Sequence, residues 1–436
     1  MRRLVGIGAD DREILRLAVP AMAALAADPL LSLVDTALVG RLGPAPLAAL
    51  GIDTAVFTTV FFGFNFLTYG TTAAVARRRG AADAAGAATY AVQALWLAVG
   101  LGIMTTVVLV AAAPVIVAAM GAGADVRGPA LVYLRLRAIA AVPLLALQVG
   151  HGAFRGLKDT RTPLVITVAV NVVNGVVSWV LIYPVGMGIA GAALGTVVAE
   201  LSAATAFVVL GRRRLAPASM AVDPVAMRAI ARISRDLFLR TASLLAGLLV
   251  TTAVAARMGT AVVAAHQIAR ELWTLLALVL DGFAIAAQAM IATALGAGDR
   301  RGAIAMSRRL VGWGLGAGLL VGAIYLPLGA ALPRVFTADP AVLAAVGSVW
   351  VVVAVLQPVG GIVFVLDGVL MGAADFRFLF WSTATAALLF LAPVSAAALW
   401  LDWGLPGVWA GMAALMGVRL VTMVARWRSA AWATTE

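Results

Sequence analysis

The residues of this sequence best placed to do chemistry are carboxylates inside long apolar stretches. They are Asp28, Asp35, Glu200, Glu271, Asp281 and Asp367, with Asp53 near the end of one stretch. An ionised Asp at the centre of a spanning helix costs about 2.5–3.5 kcal/mol, so such a group either performs a function or is paired. The basic residues available for pairing at that depth are Arg135, Arg137, Arg270 and Arg419. Asp35 stands apart because its stretch also carries Pro20 and Pro29, and proline in a spanning helix removes a backbone hydrogen bond and permits bending. A carboxyl group in a dry site can be neutral near physiological pH and lose its proton when water enters. Asp35 is therefore a candidate proton-coupling switch, the alternative being a static acceptor in helix packing.

Asp28 precedes Asp35 by seven residues, hence shares its helical face, and either orders the bend before Pro29 or takes part in coupling. Asn171, Asn174 and Ser178 fall at i, i+3 and i+7, a polar stripe that either joins helices or lines a cavity. Thr196, one span later, is a fourth member or bonds its own backbone. In the second half, Asp281 lies in LDGFAIAAQAM (280–290), with Gln288 and His266 as polar neighbours, and Asp367 lies in FVLDGVLMGAADF (364–376). These two acids could bind a cation or a cationic substrate, or serve as structural partners beside Gly282 and Gly368. Glu271, next to Arg270, and Glu200 read as members of ion pairs. Arg135 and Arg137 read as snorkelling near the outer face.

These residues must be held by membrane helices. At 63% hydrophobic, 12% charged and a mean hydropathy of +1.03, the chain is too apolar for a water-soluble domain. Stretches of about twenty apolar residues mark bilayer-crossing helices, and twelve are read here: 14–40, 47–76, 88–119, 128–153, 163–184, 189–210, 238–257, 262–294, 304–332, 342–371, 379–401 and 406–427. The first is preceded by Asp10, Asp11 and Glu13 and runs to full length, so it reads as a retained span, not a cleaved leader. The chain has no cysteine and only His151 and His266, so disulfides and thiolate or histidine metal centres are not expected. No resident cofactor is expected.

The stretch VDTALVGRLGPAPLAALGI (34–52) returns 216 residues later as VTTAVAARMGTAVVAAHQI (250–268), with nine identical positions. GTTAAVARRRGAAD (70–83) maps at the same offset onto AAQAMIATALGAGD (286–299). The chain is one six-helix unit written twice, and the repeat replaces Asp35 by Thr251. An even number of helices gives both copies the same orientation, predicting two lobes related by a pseudo-twofold along the membrane normal. The expected boundaries are an N-terminal lobe 1–210, a cytoplasmic linker 211–236 with a surface-lying amphipathic helix at 224–235, and a C-terminal lobe 237–436.

With the N-terminus inside, twenty-four of the thirty-two basic residues fall on cytoplasmic segments, among them Arg77 to Arg79, Arg212 to Arg214 and Arg240. The opposite loops hold only Arg41, Arg127, Arg257 and Arg334. This is the positive-inside bias. It places both termini in the cytoplasm and accounts for the +12 net charge without nucleic acid. Two parallel bundles that rock against each other are a basis for alternating access, which favours a transporter over a channel or receptor. No GxxxxGK[ST] phosphate loop is present, so energy must come from an ion gradient or a partner.

VDTALVGRLG (34–43), GTTAAVARRRGAAD (70–83), RGLKDTRTP (155–163), NVVN (171–174) followed by GMGIAGAALGT (186–196), and ELWTLLALVLDGFAIAAQAMIATALGAGD (271–299) together resemble the multidrug and toxic compound extrusion family, and its DinF-type branch in particular. The resemblance implies twelve helices in two lobes and export of bulky organic cations against protons or sodium ions. It implies that Asp35 is the coupling acid, working with Asn174 and Thr196, and that bending at Pro20 accompanies protonation. Where many relatives carry an aspartate one turn after the second Asn of the fifth helix, this chain has Ser178, which favours simple proton titration at Asp35. The NorM-type branch carries an acid in its seventh helix, whereas residues 237–256 here contain none; Asp367 matches that branch's tenth-helix aspartate.

The expectation is a monomeric inner-membrane exporter of small organic, cationic compounds, not an enzyme, with the proton as coupling ion. The ion-coupling set is Asp35, Asn174, Ser178 and Thr196; the cavity set is Asn171, Asp28, Gln288, Asp281, Asp367 and His266; the bending residues are Pro20 and Pro29. Its partners are those substrates and the bilayer. The alternatives are sodium coupling, or a flippase for a lipid-linked saccharide, which would display a strongly cationic cavity for a pyrophosphate. An intramembrane enzyme would need HExxH or a facing Asp pair.

Overall fold

A computed structural model of the protein describes residues 8–215 and 217–435. Among them there is no strand. Helices long and apolar enough to cross a membrane number eleven, or twelve if one bent pair counts as a span. In chain order they are α1 (Ala9–Gly40), α2 (Pro44–Gly80), α3 (Ala84–Ala119), the bent pair α4 (Ala124–Ala138 and Ala141–Gly156), α5 (Arg161–Ile182), α6 (Ile189–Arg214), α7 (Pro224–Arg257), α8 (Thr260–Gly296), α9 (Arg300–Ala330), α10 (Pro340–Gly372), α11 (Phe376–Trp400) and α12 (Gly404–Ser429). The chain is thus a multi-pass, all-α membrane protein.

The 216-residue period is visible in the turns. Asp83 caps α3 by accepting from the Gly86 amide at 2.7 Å, and Asp299 caps α9 by accepting from Gly302 at 2.7 Å. Gly43 and Gly259 enter α2 and α8 at φ of 116° and 123°, which a side chain would strain. Gly152 and Gly156 on α4 let its backbone approach Thr68 and Thr72 of α2. Gly368 and Gly372, 216 residues on, do the same for α10 against α8. This is small-residue packing, the usual means of helix association in lipid.

Two local features depart from the period. α4 bends by 49° where it breaks at Ile139 and Ala140. Pro143 cannot donate to the Ile139 carbonyl, which accounts for the break. α11 contains a π-turn over Thr385–Leu391, which inserts one residue. In consequence Ser178, which meets Gly195 of α6, is matched by Ser395 against Gly411 of α12, at a spacing of 217 between the serines and 216 between the glycines.

The expected surface helix at 224–235 and the span after it are one continuous helix, α7. No Gly or Pro lies between Val225 and Ala246 to interrupt it, and Asp223 caps its start by accepting from Val225 and Ala226. The preceding strand of linker is tied down by Gln93, which donates to the Ala221 carbonyl and accepts from the Asp223 amide, and by Trp96, which donates to Met220.

The chain divides into two compact units, Ala23–Ser234 and Met1–Met22 with Arg235–Glu436. The second begins close to the expected start of the C-terminal lobe. The difference lies in α1, whose first turns go with the second unit and whose remainder goes with the first, the change falling two residues after Pro20.

Candidate functional site

In the unit Ala23–Ser234, four helices bring charged groups together. Arg137 ends the first segment of α4, where a cation also suits the negative end of the helix. Its Nη2 donates to Glu200 Oε1 of α6 at 3.2 Å, with both side chains largely buried. Its guanidinium carbon lies 4.7 Å from the centre of the Phe57 ring of α2. Besides Glu200, Arg137 interacts electrostatically with Tyr133, Asp53 and Asp35. Asp53, one turn before Phe57, is 1% exposed. Asp35 is half-buried, and Oδ1 of both aspartates has no hydrogen-bond partner. An apolar plug of Val39, Leu50, Tyr133, Ile182, Ala192 and Ala193 packs at this end of the unit, and Val39 is one helical turn beyond Asp35.

Asn174 is buried and donates from Nδ2 to Thr196 Oγ1 at 3.0 Å; Thr196 in turn donates to the Ala192 carbonyl. Ser178 is fully buried, and its Oγ and Asn174 Oδ1 lack partners. These three residues share the α5–α6 contact. Asn171 instead donates to the Ala27 carbonyl of α1 at 3.0 Å, and Tyr183 donates to the Leu38 carbonyl at 2.8 Å. Both hold α1 against α5. The Asp28 side chain lies outside the described residues; Pro20 is half-buried and Pro29 exposed, and α1 is helical through both. At its start, α1 is anchored by Asp11, which accepts from Arg309 at 2.6 and 2.8 Å and from Trp313 at 2.9 Å.

The second unit arranges its charges differently. Asp367 of α10 accepts from both Arg240 of α7 and Arg419 of α12, all three buried. Asp281 of α8 acts on Arg419 electrostatically. A carboxylate compensated by two guanidiniums is a structural hub, not an open cation ligand. Thr251, the counterpart of Asp35, is 0% exposed and meets His266 Nε2 at 3.3 Å, while donating to the Leu248 carbonyl. His266 lies edge-on to Trp409, and Gln288 is buried in α8. Thus the structure groups Asp367 with Asp281, and His266 with Thr251.

Two expectations are corrected. Arg137 does not snorkel, because Glu200 and the Phe57 face hold it inside; Arg135, two residues earlier on another face, is the exposed one. Arg240 is not a cytoplasmic surface charge but a buried partner of Asp367. Asp53 was a candidate carboxylate assigned to neither the coupling nor the cavity set, and Tyr133 was not singled out at all. The signal available was Asp53 itself, an acid one turn before an aromatic in an apolar segment; nothing local pointed to Tyr133. A separate cavity of about 300 Å³, between α3, α4, α6 and the linker, is lined by apolar residues and Arg212 and touches none of these groups.

The MatE family model matches residues 20–180 and 237–396, one stretch in each repeat. Over 430 residues the chain is 36% identical to Protein DETOXIFICATION 44, chloroplastic, of Arabidopsis thaliana, across 95% of this chain and 82% of that protein. It is 28% identical over 428 residues to DNA damage-inducible protein F of Escherichia coli (strain K12), across 96% of this chain and 92% of that protein. Among solved structures, a MATE crystallised in the bent conformation superposes with a TM-score of 0.86 at 23% identity, across 97% of this chain and 95% of that one. A MOP superfamily transporter from Pyrococcus furiosus gives 0.86 at 22% identity, across 99% and 98%. At such identities these two likenesses establish the shared fold.

Proposed function

The chain belongs to the MatE family of membrane transporters, and from that premise we propose that it is a proton-coupled multidrug exporter. It moves small organic cations outward in exchange for inward protons, by alternating access. The observation that carries this reading is Asp35: an acid in only one of two repeats, next to a dry apolar plug, with a carboxylate oxygen that no protein group satisfies. Protonation of Asp35 from outside removes its charge and releases substrate; deprotonation toward the cytoplasm resets the site. Ser178 supplies no second acid on α5, and Arg137 already places a positive charge beside the carboxylates. Both features favour a proton over a sodium ion.

Each proton moving inward through 100 mV yields about 2.3 kcal/mol, but a one-for-one exchange against a monovalent cation moves no net charge and is driven by the pH gradient alone. A flippase reading finds less support, because Arg137, Arg240 and Arg419 each face a carboxylate and are not displayed to a pyrophosphate. The reading includes a monomer in the inner membrane with both termini cytoplasmic, supported by the positive-inside bias. The test is reconstitution in liposomes with a fluorescent organic cation. Transport driven by a pH gradient and lost in Asp35→Asn is the expected result; normal pH-driven transport in that variant, or transport driven only by sodium, overturns it.

A further inference from the structure

Five ionisable groups converge near the plug of the Ala23–Ser234 unit: Asp35 from α1, Asp53 from α2, Tyr133 and Arg137 from α4, and Glu200 from α6. From α5 come the neutral Asn174 and Ser178, and Tyr183, just beyond its end, packs against the plug with its hydroxyl donated to the Leu38 carbonyl. Three carboxyls therefore share one guanidinium. Glu200 holds it directly, at 3.2 Å. Phe57 covers its face, so Arg137 cannot turn away from that pair without losing the ring contact. With all three acids ionised, this group of one guanidinium and three carboxyls would carry two surplus negative charges. Buried charge without compensation is strongly disfavoured, and a carboxyl group escapes the penalty by binding a proton.

Asp53 is the more secluded of the two acids left over. It is 1% exposed, its Oδ1 has no hydrogen-bond partner, and it feels Arg137 and Glu200 together. We propose that Asp53 is a second proton-carrying carboxyl, linked to Asp35 through the shared Arg137, so that the transporter exchanges two protons per cycle. The inference rests on the proton-coupled reading above and extends it to a residue on a different helix. Two acids that interact through one cation titrate as a pair, the first ionisation claiming the guanidinium and raising the cost of the second. Glu200 and Arg137 are the fixed background of that pair and exchange no proton themselves.

The test has two arms. Infrared spectra of the purified protein in lipid nanodiscs at neutral pH should show carbonyl-stretch bands of protonated carboxylic acids that shift in deuterium oxide. Asp53→Asn should remove one such band and Asp35→Asn another, and Asp53→Glu, which keeps a displaced carboxyl, should move the first band without removing it. In liposomes, the pH gradient that just balances an opposing substrate gradient counts the protons exchanged, and Asp53→Asn should lower the count from two to one. An unchanged carboxylic-acid band in Asp53→Asn overturns the proposal. So does a band lost with an unchanged count, since Asp53 would then hold a static proton. If wild type exchanges one proton and Asp35→Asn none, the coupling reading stands and this inference falls. If no pH-driven transport occurs in wild type, both fall.

Discussion

The Asp35 cluster and the Asp367 cluster occupy two copies of one scaffold, yet they lie at non-equivalent positions and have opposite charge accounts. At the 216-residue offset, Asp35, Asp53, Arg137 and Glu200 become Thr251, Ala269, Val353 and Met416. Conversely Arg240, Asp367 and Arg419 stand where the first repeat has Ala24, His151 and Ala203. In the first unit three acids face one guanidinium. In the second, two guanidiniums share Asp367, with Asp281 acting on one of them. A balanced buried cluster is closed and structural, whereas one with excess carboxylate needs protons to be dry and can release them when wetted. Duplication supplied the helices twice, and polar substitutions at non-equivalent positions gave the two copies different charge clusters.

The most drastic way to break the contrast is Asp35→Asn, for which pH-driven export should fall to the background of empty liposomes while thermal stability is retained. Asp367→Asn should do the reverse. It leaves two buried guanidiniums facing each other, with a destabilisation of about 3–5 kcal/mol, read as a lowered unfolding midpoint, while proton coupling per folded molecule persists. Replacing Arg240, Asp367 and Arg419 together by apolar residues should recover part of that loss, because the two guanidiniums no longer face each other, while Asp281 loses its interaction with Arg419.

Gly195→Ala and Gly411→Ala sharpen the comparison. Each added methyl meets the backbone or hydroxyl of a serine, Ser178 or Ser395, and overpacking of this kind costs about 1–3 kcal/mol. The two stability losses should match within error in a denaturation assay, but only Gly195→Ala should slow transport, since only there does the displaced helix carry Asn174 toward or away from Thr196. The smallest effect is expected from Thr251→Val, which removes the contact with His266 at a cost of about 0.5–1.5 kcal/mol and should leave the proton count untouched. A changed count in that variant would mean that the second unit also takes part in coupling.

Reading along the chain located the acids but could not assign their partners. Asn174 with Thr196 followed from a polar stripe at helical spacing and the first polar residue of the next span, a pairing over 22 residues. Asn171, on the same stripe, turned out to bond the α1 backbone, because its place at i−3 from Asn174 carries it round toward that helix. Glu200 was legible as a member of an ion pair, but its partner is 63 residues away, and Asp367 reaches Arg240 over 127 and Arg419 over 52. Arg240 also carried a misleading local signal. It follows Arg228, Arg232 and Arg235, a run that the positive-inside bias assigns to the cytoplasmic side, and the unbroken course of α7 is what brings it inside.

By itself the sequence determined the duplication, the eleven or twelve spans and the asymmetry at Asp35, since bilayer thickness turns apolar stretches into a count along one dimension. It also determined the matching turns, because Gly43, Gly259, Asp83 and Asp299 act within a few residues of themselves. Only the tertiary structure decided which charges balance. Arg137 faces inward because α4 breaks at Ile139 and Ala140 and packs beside Phe57 and Glu200, and the one-residue shift of Ser395 depends on a π-turn with no clear signature in its apolar sequence. In lipid every helix face is apolar or nearly so, so pattern alone leaves helix rotation open. Rotation is settled by the few places where small residues, rings and ion pairs from distant helices fit together.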